Sequence, residues 1–167
     1  MLGRISGVRH ATVVGAIGSL TALTGFGAIG GGDHPERFET YQVVVAPGAG
    51  TNWLRITETF DHDFGNEQRH GPERYIPNDF GAAVDVVASS PDAPDDVSVT
   101  DLGSETRIRI GDPEVEISGQ HRYTLSYTLP AAQLDTGLLA LDIIDGDEFE
   151  TLDATVIVTG CEIADPG

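Results

Sequence analysis

Glu58 is the residue whose type and setting most invite chemistry. It lies in the run Leu54-Arg55-Ile56-Thr57-Glu58-Thr59-Phe60. Alternate side chains of a strand share a face, so its carboxylate joins Leu54, Ile56 and Phe60 on what reads as a core face. An unpaired carboxylate there is costly and requires a cation or several hydrogen-bond donors. Arg69 and Arg74, in the stretch that follows, are the partners in reach. Such a pair either serves a binding site or pins that stretch against the sheet, and the second use is the expected one.

Metal chemistry has two candidate settings. His62 stands between Asp61 and Asp63 with His70 eight residues on. Imidazole and carboxylate ligands suit zinc or another divalent ion, and used catalytically they would make a metal-dependent hydrolase. The spacing of established zinc motifs, such as two histidines one helical turn apart, is missing. Asp142, Asp145, Asp147 and Glu148 cluster about Gly146, and Asp92, Asp95 and Asp96 form a second acidic turn. Several carboxylates in one turn are what calcium needs, but the EF-hand spacing is not there. Solvated turn acids are the expected reading, with no cofactor. No serine stands in a nucleophile elbow, no glycine-rich loop is laid out to cradle phosphate, and Cys161 has no obvious base. An enzyme is not the expectation.

The elements that must position these residues are short strands. From residue 38 apolar and polar side chains alternate, and turn residues recur every eight to twelve positions, the pattern of an all-β chain. Phe38 to Ala46 sets Tyr41, Val43 and Val45 on one face, and Pro47-Gly48-Ala49-Gly50 ends it. Trp53 to Asp61 carries Glu58, with Trp53, Arg55, Thr57 and Thr59 opposite. Residues 62–80, with Pro72 and Pro77, read as a long irregular connection. Further runs are Ala82 to Ser89, Val97 to Leu102, and a strand with Thr106, Ile108 and Ile110 inward and Arg107 and Arg109 outward. Val115 to Ser118, His121 to Leu129, Leu138 to Ile144 and Ala154 to Thr159 complete the series. Tyr123 and Tyr127 share the apolar face of the His121 run and are expected in a core or an interface. Eight or nine short strands in about 120 residues predict a two-sheet antiparallel sandwich, immunoglobulin-like, over residues 33–160, with a tail at 161–167.

A chain of 167 residues suits one domain, which at that size buries roughly 70% of its unfolded surface. The charge is lopsided. All nine basic residues are arginines, two of them in residues 1–32, where there is no acid. The rest sets seven arginines against 27 acids, a net of −20. Such a field repels phosphate backbones, so nucleic acid is excluded as a partner. A solvated acidic surface is expected, with cations or basic partners as the alternative. The single cysteine, Cys161, rules out an internal disulfide, and leaves open an intermolecular pairing or a chain that continues.

Arg4, Arg9 and His10 precede Ala11 to Gly32, 22 residues without a charge. That is the layout of a secretory signal or signal anchor. Seven of the 22 are glycine, and the best apolar core, Ala11 to Leu23, has signal-peptide dimensions. Gly25 with Gly27, or Ala28 with Gly30, offers the small side chains a signal peptidase needs. Residues 1–32 are expected to associate with the membrane, and with the basic end inside, residue 33 onward lies outside the cytoplasm.

The order of motifs resembles a family of bacterial membrane proteins known as domain of unknown function 2207. The likeness rests on Leu54 to Phe60, on Asp63-Phe64, on Arg69-His70-Gly71-Pro72-Glu73-Arg74-Tyr75-Ile76-Pro77, on Thr106 to Asp112, and on Gly119 to Tyr127. Its most specific part is the element formed by Arg69, His70, Gly71, Arg74, Ile76 and Pro77, and it covers about residues 38–160. The resemblance implies a signal sequence, an extracytoplasmic β domain and then membrane helices, whereas this sequence ends at Gly167 without a second apolar span. It supplies no catalytic residue. The expectation is a non-enzymatic extracytoplasmic β-sandwich, an interaction or sensory module of a membrane-associated envelope protein, with other envelope proteins as partners.

Overall fold

The computed structural model describes residues 34–50, 52–132 and 150–160. The apolar leader, the Leu138 to Ile144 run, the acidic turn from Asp142 to Glu148 and the tail with Cys161 therefore lie outside the described residues.

Nine strands are described: β1 (Arg37–Pro47), β2 (Leu54–Asp63), β3 (Glu73–Pro77), β4 (Val84–Ser89), β5 (Val97–Asp101), β6 (Glu105–Ile110), β7 (Gln120–Leu129), β8 (Glu150–Thr151) and β9 (Ala154–Val158). A single 3-10 turn at Asn78–Phe80 is the only helical element among the described residues. The large sheet runs β4-β7-β2-β1-β8, with β9 also on β1, and the small sheet runs β3-β6-β5. The all-β sandwich expected from the alternation is what the chain forms.

Period two decides which side chains the sheets enclose. Tyr41, Val43 and Val45 of β1, Leu54, Ile56 and Phe60 of β2, and Tyr123, Leu125, Tyr127 and Leu129 of β7 are all buried. Ile76 of β3 and Ile108 and Ile110 of β6 close the core from the small sheet. Aromatic rings run along the large sheet's inner face: Phe60 stacks on Tyr41 at 5.3 Å between ring centres and on Tyr123 at 5.7 Å.

Three features depart from the sequence reading. First, the pairing is not antiparallel throughout, because β8 and β9 both run parallel to β1. Second, residues 62–80 are not an irregular connection: β2 continues to Asp63, and β3 pairs antiparallel with β6 from Glu73↔Arg109 to Pro77↔Glu105. Pro72 immediately precedes β3 and Pro77 is its last residue, at a position facing away from β6 where a missing N–H costs no ladder bond. One of its two inward positions is an arginine, so no apolar alternation marks it. Third, the Val115 to Ser118 run contributes only an isolated bridge, Arg69↔Ile117.

Candidate functional site

Four strands and both sheets meet at Glu58. Its cross-strand neighbours are Val43 on β1 and Leu125 on β7, so Tyr41 and Tyr127 lie diagonally to either side, two positions along. Tyr127 donates its hydroxyl to Glu58 Oε1 at 2.8 Å, and Tyr41 donates to Oε2 at 2.5 Å. Arg74 comes from β3 in the opposite sheet, and its Nε donates to Oε2 at 3.0 Å. The guanidinium also sits over the Tyr41 ring, 5.6 Å from its centre. Glu58 has no solvent exposure, and Arg74 is 7% exposed. This is an ion pair with three donors on one carboxylate, joining the sheets through the middle of the core.

The electrostatics follow from the burial. Desolvation would lower the Arg74 pKa, but the Glu58 carboxylate outweighs it and holds the group above the ordinary arginine value. Burial pushes the Tyr127 hydroxyl well up, and the adjacent Glu58 charge adds to this, so Tyr127 stays protonated as a donor. Tyr123, four residues away on the same face, is raised by burial and then by the charge of Asp92. Its hydroxyl is buried without a hydrogen-bond partner among the described residues. Both tyrosines are core residues and present no stacking platform at the surface.

Arg69 does not share this site. It bridges to Ile117 ahead of the close backbone approach at Gly71, and its guanidinium turns outward, 42% exposed. There it meets Glu67 at 3.0 Å and Glu36 at 3.2 Å. The other oxygen of Glu36 lies 2.9 Å from His62 Nε2, so Glu36 links the buried imidazole to the exposed guanidinium. The His62 ring is packed between Phe64, 4.1 Å away, and Phe38, 4.4 Å away. Glu36 precedes the first strand in an acid-rich stretch, and no periodicity singles it out.

His70 is turned elsewhere, its Nδ1–H donating to the Val115 carbonyl at 3.1 Å. Among the described residues no three His, Cys, Asp or Glu side chains are grouped to hold a metal ion. Asp63 is taken up by the Gly65 amide at 2.8 Å and by His34 at 3.1 Å. In the acidic turn, Asp92 and Asp95 receive the Ser90 hydroxyl and amide respectively, the usual duty of turn acids. The remaining motif positions are structural too. Ile76 is core, and Pro77 ends β3 at the 3-10 turn.

Asp61 faces the opposite side of β2 from Glu58. Arg122 holds it by two hydrogen bonds of 2.7 Å, and Thr40 adds a third of 2.7 Å. Burial opposes its ionisation, yet these bonds and the arginine charge outweigh burial, and its pKa is held below the ordinary aspartate value. The linkage has one sign. A depressed carboxyl contributes stability above the unfolded pKa of about 4, and loses it as pH falls through the lower folded value. Arg122→Ala is therefore expected to move the acid-unfolding midpoint to higher pH, read by circular dichroism between roughly pH 5 and 2. An unmoved midpoint would show that the pair contributes nothing.

No family model and no curated protein matches the chain. Among solved structures, a two-domain M1 zinc metallopeptidase bound to L-tryptophan aligns at 14% identity and a TM-score of 0.37, over 59% of this chain and 21% of its own. The M1 zinc metallopeptidase from Deinococcus radiodurans gives 13% and 0.35 over 59% and 21%. Native leukotriene A4 hydrolase from Saccharomyces cerevisiae gives 8% and 0.36 over 56% and 15%. This chain spans about a fifth or less of the length of those proteins. Superpositions this partial say nothing of what it acts on.

Proposed function

We propose that this chain is a non-enzymatic, extracytoplasmic β-sandwich domain, tethered to or exported across a membrane by residues 1–32, and serving as an interaction module of a larger envelope assembly. The observation that carries the reading is the division of the chain. A basic, acid-free apolar leader runs to Gly32, and a β domain with a net charge of −20 follows it. The Glu58 cluster supports it from the structural side, because a fully buried carboxylate is used to join the two sheets.

A topology reporter fused after Asp33 tests the location. The expected result is activity of an export-dependent reporter, and activity confined to the cytoplasm would overturn the reading. A metal assay on the purified chain tests the alternative, a metal-dependent hydrolase using His62, His70 and nearby carboxylates. Stoichiometric zinc that survives dialysis would favour the hydrolase.

A further inference from the structure

The edges of the two sheets are treated unequally. β4, the outer strand of the large sheet, is broken by a register shift between Val84 and Val87, and Asp85 there has a positive φ of 51°. A bulge of this kind protects an edge from further pairing. β3, at one edge of the small sheet, is short, preceded by Pro72 and ended by Pro77. β5, at the other edge, is equally short but has neither the bulge nor the prolines. It contains no proline, lysine or bulge, and it pairs with β6 in unbroken register from Val97↔Ile110 to Asp101↔Thr106.

Two hydrogen bonds fix which β5 groups face β6 and which have no backbone partner among the described residues. Gly111 N donates to the Asp96 carbonyl and Leu102 N to the Glu105 carbonyl. In an antiparallel pair bonded residues alternate with unbonded ones, so residues 96, 98, 100 and 102 face β6. The N–H and C=O groups of Val97, Val99 and Asp101 then point away from the sheet. The side chains of Val97 and Val99 lie on the inner face, opposite Ile110 and Ile108, yet are 36% and 45% exposed. A strand laid along this edge would gain backbone bonds and would cover those valines with its own alternate side chains.

Charge selects the occupant. Asp95 and Asp96 stand at one end of β5, and Asp101 and Glu105 at the other. A second copy paired antiparallel here would bring acids against acids on a chain whose formal charge is already −18. We infer that β5 is a docking edge for an extended basic segment of a partner protein, with apolar residues at alternate positions and arginine or lysine at its ends. Main-chain pairing of this kind supplies affinity, and the alternate side chains supply selection. The inference rests on the interaction-module reading, and it names that module's partner class. The reporter and zinc assays decide the module reading and the binding test below decides the edge, so either can fail alone.

The test uses the full chain and a synthetic peptide alternating valine and threonine between terminal arginines. In the free chain the Val97, Val99 and Asp101 amides are expected to exchange rapidly with solvent, beside slow Ser98 and Thr100 amides. The peptide is expected to slow those three amides and to bind, by fluorescence anisotropy, at least tenfold more tightly than its glutamate-ended counterpart. Val99→Pro removes one outward N–H at a position where an edge strand tolerates proline. It is expected to weaken binding at least tenfold with the thermal melt unchanged, and Asp96→Arg to weaken it about fivefold. Equal binding by Val99→Pro, or by the glutamate-ended peptide, overturns the proposal. Slow exchange of the three amides in the free chain also overturns it: in a monomer the chain covers its own edge, and in a dimer a second copy does.

Discussion

Glu58→Ala is expected to lower the free energy of unfolding by about 3–5 kcal/mol, because it leaves the Arg74 charge stranded in the core. The pair bridges the two sheets with no exposure at the carboxylate, so water cannot take over its role. An exposed pair would cost no more than about 1 kcal/mol. Against a typical domain stability of about 5–15 kcal/mol, the larger figure is a substantial part of the whole. Glu58→Gln keeps an acceptor for one of the two tyrosines but no counter-charge for Arg74, so its loss should be intermediate. The double variant Glu58→Met with Arg74→Met should lose less than the two single changes summed, since it strands neither charge. Urea denaturation of the parent, the Ala and Gln variants, the two single Met variants and the double variant is the measurement. Unfolding of Glu58→Ala within a few tenths of a kcal/mol of the parent would show that the pair does not hold the sheets together.

Gly71→Ala should cost about 3 kcal/mol or more, for a different reason. Gly71 has φ +105°, and a Cβ there would lie 1.9 Å from the Ile110 carbonyl oxygen. The approach is mutual, since a Cβ on Gly111 would lie 2.1 Å from the His70 carbonyl oxygen. Two backbones touch where the chain turns into β3, and neither can retreat without shifting the β3–β6 register. Strain at such a φ costs about 1–3 kcal/mol, and overpacking adds a similar amount. Gly103→Ala is the control: its φ is +91°, but nothing lies within 4 Å of the added carbon. It should lose roughly 1–2 kcal/mol, from the backbone term alone. Equal thermal melts for the two variants would mean that the contact at Gly71 yields easily.

Much of this was legible from alternation. Glu58 shares the face of Leu54, Ile56 and Phe60, and the structure buries all four. Which arginine it meets was not legible, because Arg69 and Arg74 are both close in sequence. The choice follows from β3, where Arg74 is in phase with Ile76 on the inner face while Arg69 lies before the strand. That strand was hidden by the same arginine. Tyr41 and Tyr127 were legible as inward residues but not as donors to Glu58, since that depends on the register of β2 with both neighbours. The link from His62 through Glu36 to Arg69 joins residues from three separate stretches, and no local pattern carries it.

The parallel pairing of β9 with β1 has a consequence in time. β1 and β2 are close in sequence, but the other neighbour of β1 lies far along the chain, with Thr159 bonded to Val45 across 114 residues. Contacts of such sequence separation slow folding, because a long loop must close before they form. As the ribosome delivers the chain from its N-terminus, β1 and β2 can pair early, while the outer edge of β1 stays unsatisfied until β9 emerges. A nascent or partly threaded chain therefore exposes Val43 to Val45 beside an open row of backbone groups, which is when an edge strand is most prone to aggregate. A chain that completes the pairing of β1 only when β9 is available benefits from being kept unfolded until then.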